Sequence, residues 1–139
     1  MTAVTYRFYG GGTMGCDVHV HVEVKLCAKW EHYSVPAVLR DYALFTKMAG
    51  VRAHSDEIEP ICLPRGLPLD ISTVTKFCRD YAGTDGHSDS WLSAAEVAEV
   101  QEWYDNRKPP PFGYMLGRLI GGELPAGVSG IRVVFWFDN

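Results

Sequence analysis

Between Cys16 and Val24 the chain alternates without a break, Val18, Val20, Val22 and Val24 being separated by His19, His21 and Glu23, with Asp17 in front. Successive side chains of an extended strand point to opposite faces. The pattern therefore predicts a strand over Gly15 to Lys25 with one face made for burial. The other face carries Asp17, His19, His21 and Glu23 within roughly 20 Å, at about 3.3 Å per residue. Cys16 falls with the valines by parity, which makes it a buried thiol rather than a nucleophile. Lys29 to Tyr33 reads as a hairpin partner across Leu26-Cys27-Ala28.

Helical spacing follows. Ser34 offers an N-cap just before Pro36, and Val38, Tyr42, Phe45 and Met48 mark one face of a helix that stops at Gly50. Prolines at 60, 64 and 68 make residues 51–69 a long irregular connection of the kind that tends to carry function. Asp70 is expected to cap a second helix, Ile71 to Tyr81, with Val74, Phe77 and Cys78 inward. A polar loop over 83–90 comes next. Ser93-Ala94-Ala95-Glu96 is a capping box opening a third helix to about Tyr104, which the segment Asn106 to Pro111 breaks; 113–120 suggests a short helix despite Gly117. Ile131 to Asn139 is a strand by propensity, apolar enough to be central and adjacent to the first. The order of elements predicts an α+β fold, a small, mostly antiparallel sheet with helices packed on one face. Residues 14–139 form its single domain. Residues 1–13, ending in Gly10-Gly11-Gly12, read as a flexible extension or as sequence ahead of a start at Met14.

At 139 residues, with 47% apolar and 22% charged residues, the chain can bury its own core. A net charge of -4 and a pI near 5.7 argue against a binder of long nucleic acid, yet leave room for a small phosphorylated ligand held by a few arginines. The four cysteines show no metal or disulfide spacing, and no window approaches the ~18 apolar residues of a membrane span. These features predict a soluble cytosolic protein with reduced thiols and no membrane partner. They leave the oligomeric state open.

Candidate chemistry concentrates on the polar parity of the first strand. Two imidazoles at i and i+2 can supply two nitrogen ligands to a divalent metal, zinc or manganese, with Asp17 or Glu23 adding oxygen or orienting an imidazole. His87, in Asp85-Gly86-His87-Ser88-Asp89-Ser90-Trp91, could complete that set or act as a base oriented by Asp85 or Asp89. The candidate metal set is thus Asp17, His19, His21 and His87, and the candidate catalytic set His19, His21 and His87. Arg65, between prolines, and Arg52 suit a phosphate; Trp91 is the aromatic most suited to contact a ligand, and Asp138 meets the polar face if the last strand lies beside the first. The Asp-x-His-x-His string also resembles the first metal motif of amidohydrolases and of PHP-type phosphoesterases, but both need a barrel far longer than this chain.

Met14-Gly15-Cys16-Asp17-Val18-His19, Tyr42-x-Leu44-Phe45, Ala49-Gly50-Val51-Arg52, Arg65-Gly66-Leu67-Pro68, Asp85-x-His87-Ser88-x-Ser90-Trp91-Leu92 and Val133-Val134-Phe135-Trp136-Phe137-Asp138-Asn139 together resemble a family of small, mostly uncharacterised bacteriophage proteins that begin MGCDIH. The likeness runs from Met14 onward. It implies expression in the cytoplasm of an infected bacterium and, by association, counter-defence; it implies no mechanism. Two functions fit the residues. One is a hydrolase of a phosphoester or nucleotide-like substrate, with either a metal-activated water or two histidines as base and acid and Arg65 at the phosphoryl group. The other is a non-catalytic protein that sequesters a nucleotide second messenger or a host factor.

Overall fold

A computed structural model of the chain describes residues 15–53, 57–104 and 124–139. The expected extension at 1–13 and the helix at 113–120 lie outside the described residues. The fold is α+β, as the pattern predicts: four strands, β1 (Asp17–Leu26), β2 (Lys29–Ser34), β3 (Gly86–Ser93) and β4 (Val128–Asp138), form one antiparallel sheet in the order β2-β1-β4-β3. Among the described residues three α-helices accompany it, α1 (Tyr42–Ala49), α2 (Thr73–Ala82) and α3 (Ala94–Tyr104).

The valine parity of β1 makes the core. Val18, Val20, Val22 and Val24 pair across the sheet with Phe137, Phe135, Val133 and Ile131 of β4, and all eight are buried. Leu44, Phe45 and Met48 of α1 and Val97, Val100 and Tyr104 of α3 close over them. Cys16 joins this cluster with no exposed surface, as its parity requires; burial pushes its thiol above the ordinary range. The capping box forms as read, Ser93 N–H donating to Glu96 and Glu96 N–H to Ser93 Oγ.

Three local expectations are corrected. First, α1 begins not at Ser34 but after Asp41, whose carboxylate accepts from Ala43 N–H at 3.0 Å; its end at Gly50, with φ 73, is the left-handed cap expected of glycine. Second, Asp70 is not the cap of α2, because its carboxylate is bound to Arg132, and Ser72 takes the role. The face of α2 is reversed as well: Val74 and Phe77 are exposed, while Thr75 is buried. The sheet surface beneath carries Glu23, so the helix turns Ser72 and Thr75 toward it. Third, most of the polar loop expected over 83–90 is strand. Only Gly83–Asp85 makes a short turn of 3-10 helix; from Gly86 the chain pairs with β4, and pairing with an apolar neighbour outweighs the weak strand propensity of Gly, Ser and Asp.

The hairpin between β1 and β2 turns on Cys27 and Ala28, both left-handed at φ 50 and 66. That is the twist a two-residue hairpin needs, made here without glycine or asparagine.

Candidate functional site

Register decides which polar side chains meet. Asp17, His19, His21 and Glu23 stand opposite Asp138, Trp136, Val134 and Arg132 of β4, so these eight share the second face of the sheet. Glu23 is also opposite His32 of β2, and Val134 opposite Trp91 of β3. The face is not uniform.

Its Glu23 end is enclosed. Arg132 Nε donates to Glu23 at 2.8 Å and its Nη1 to Asp70 at 2.8 Å, with the guanidinium 4.1 Å from the centre of the Trp30 ring. Ser72 N–H donates to the other Glu23 oxygen at 2.9 Å. Burial alone would push the Glu23 carboxyl up; the hydrogen bonds from Ser72, Thr75 and Arg132 outweigh it and hold the group below the ordinary range. This carboxylate is structural.

At the centre His21 is buried, its ring stacked on Trp136 at 4.8 Å and its Nδ1 3.1 Å from His32 Nε2. Burial, with the neighbouring His32 and His19, lowers its pKa to about 4, so the imidazole is neutral near pH 7.

The Asp17 end is open. His19 Nε2 lies 2.5 Å from Asp138 Oδ2, and the two side chains are 43% and 33% exposed. A carboxylate there fixes the proton on Nε2 and leaves Nδ1 with a lone pair. Asp17 takes two hydrogen bonds from Arg40, at 2.9 and 3.0 Å. Arg40 packs closely over Gly15, where an added Cβ would stand 2.1 Å from Nη1 and the guanidinium would have to shift. Arg52 lies 5.2 Å from the centre of the Tyr42 ring, whose hydroxyl accepts from Cys16 N–H at 3.2 Å, so this arginine borders the same end.

His87 does not join His19 and His21. It pairs with Phe137, whose side chain points to the valine face, and it stacks on that ring at 6.3 Å. Its nitrogens contact Ser88 Oγ at 2.9 Å and Asn139 Oδ1 at 3.1 Å. From Gly86 the segment expected as a polar loop is therefore a strand at the sheet edge. Arg65, from the long connection, lies against β3 and α3 instead: its guanidinium is held by Glu96 and lies 4.6 Å from the centre of the Trp91 ring. That arginine pulls Glu96 down to about 2. Arg65 and Trp91 thus form a pair with each other. Among the described residues no group of three or more His, Cys, Asp or Glu side chains is arranged to hold a metal ion. His32 and Asn139 are the site neighbours that strand periodicity could not assign, since each is reached across a strand pairing.

No family model matches the chain, and no curated protein or solved structure shows detectable similarity to it.

Proposed function

We propose that the chain is a hydrolase of a phosphoester or nucleotide-like substrate in which His19, oriented by Asp138, acts as the general base. The observation that carries this reading is the His19–Asp138 contact with its half-exposed ring. A carboxylate-oriented imidazole at a surface end can take a proton from an attacking water, a contribution of about 10²–10⁴-fold. As the water oxygen bonds to phosphorus and the ester oxygen leaves, the water proton passes to Nδ1. Arg40, paired with Asp17 on the same face, supplies positive charge. The Asp17–Arg40 pair is about half-exposed on both sides, so a phosphoryl group can compete for the guanidinium. The reaction is written without a metal because His87, opposite Phe137 on the other face of the sheet, does not complete the expected set of Asp17, His19, His21 and His87. The resemblance to phage proteins beginning MGCDIH would place the substrate in an infected bacterium, where a nucleotide signal of host defence is the natural candidate.

Incubation with a panel of cyclic and linear nucleotides tests the proposal. Turnover by the wild type, reduced about 100-fold or more in His19→Ala and Asp138→Asn, is the expected result. Undiminished turnover in His19→Ala would overturn it. Intact nucleotide released on heating, without turnover, would show sequestration instead.

A further inference from the structure

The last two residues of the chain each orient a histidine. Asp138 holds His19 on one face, and Asn139 holds His87 on the other. Beside His87 lies a hydroxyl that the proposed hydrolase reaction leaves unused. With the Asn139 oxygen accepting from Nε2–H, His87 Nδ1 bears a lone pair, and Ser88 Oγ stands 2.9 Å from it. Hydroxyl, imidazole and orienting side-chain oxygen thus stand in the sequence nucleophile, base, orienter.

The backbone adds to this. Ser88 has φ 57, a conformation costly for a residue other than glycine, and the pairing of β3 with β4 skips from His87 to Ser90. The bulge puts Ser88 outside the regular alternation, so that its hydroxyl reaches back to the ring of its own neighbour. His87 and Ser88 are half-buried, and the stack on Phe137 fixes the imidazole plane.

We infer that Ser88 is a nucleophile activated by His87, with Asn139 as a positioning residue, and that it accepts an acyl group from an uncharged carboxylic ester. The groups touching His87 are a hydroxyl, an amide and a phenyl ring; a neutral carbonyl suits them better than a phosphate does. In the reaction the bond from Ser88 Oγ to the acyl carbon forms as the ester C–O bond breaks. The hydroxyl proton moves to His87 Nδ1 and from there to the leaving alkoxide. Water, deprotonated by the same nitrogen, then cleaves the acyl-serine and releases the acid. This inference uses neither His19 nor Asp138 and stands or falls apart from the reading above.

The test uses the full chain with p-nitrophenyl acetate, and separately with a fluorophosphonate whose fluoride is displaced by the same hydroxyl. The expected results are a burst of nitrophenolate and a single covalent adduct that peptide mass spectrometry places on Ser88. Ser88→Ala should lose the adduct. His87→Ala should slow its formation about 100-fold or more, and His87→Gln serves as the second variant should alanine disturb the fold. Asn139→Ala should slow it less, while Asn139→Asp, which still accepts from Nε2–H, should restore it. Absence of an adduct on wild-type Ser88, or an unchanged rate in both His87 variants, would overturn the inference.

Discussion

Two ends of one sheet face are built from the same kinds of residue and arrive at opposite states. At the Glu23 end a carboxylate with no exposed surface is enclosed by Arg132, Ser72 and Trp30. At the Asp17 end, some 20 Å along the strand at about 3.3 Å per residue, Asp138 and His19 keep a third or more of their surface in water. Charges that are fully surrounded by partners can only hold the structure. Those with water on one side remain able to exchange partners or protons, and the proposed hydrolysis therefore uses the open end.

The sharpest break of this contrast is Arg132→Ala. It strands the buried Glu23 carboxylate, and chemical denaturation should report a loss of about 3–5 kcal/mol. A loss under 1 kcal/mol would mean that the enclosed end relaxes to admit water.

Between the two ends His21 gives a pH signature. Its folded pKa near 4 is depressed from the ordinary 6.5, so the unfolded chain binds its proton first as pH falls. Stability contributed by the neutral ring is complete above about pH 6.5 and is lost progressively down to about pH 4, to a total of about 3 kcal/mol. Denaturation curves of wild type and His21→Leu, collected from pH 7.5 to pH 4, should diverge in slope over this window, the variant falling less steeply. Parallel curves would place the acid sensitivity elsewhere.

The smallest effect belongs to the open end. Asp138→Asn should change stability by no more than about 1 kcal/mol, as an exposed pair does. The same denaturation assay applied to Arg132→Ala and Asp138→Asn measures the contrast directly; equal losses would abolish it.

Much of the fold was legible. The valine periodicity placed β1, Cys16 and the core, the run Ile131 to Phe137 placed β4 beside it, and Ser93 with Glu96 placed the start of α3. The errors have separate causes. The inward placement of Val74 and Phe77 assumes that the helix covers an apolar surface, whereas α2 meets a sheet face on which Glu23 needs donors. His87 was placed in a loop because Gly86, Ser88 and Asp89 have weak strand propensity, and pairing with Phe135 and Phe137 overrode it. For the candidate site, parity brought Asp17, His19 and His21 to one face and, through the last strand, Asp138. It could not say that His32 would occupy His21, that Glu96 would hold Arg65, or that His87 would face the other way.

By itself the sequence determined the two faces of β1, because parity is a local property of extended backbone, and with it the composition of both the core and the polar surface. Only the tertiary structure decided which polar groups are enclosed and which stay open. That choice depends on strand register and on the segments that cover the sheet, where residues more than a hundred positions apart, such as His19 and Asp138 or Glu23 and Arg132, become neighbours. Desolvation and partner geometry act only there, and they divide four alternating side chains into a structural carboxylate, a neutral buried imidazole, a half-exposed imidazole paired with a carboxylate and an exposed ion pair.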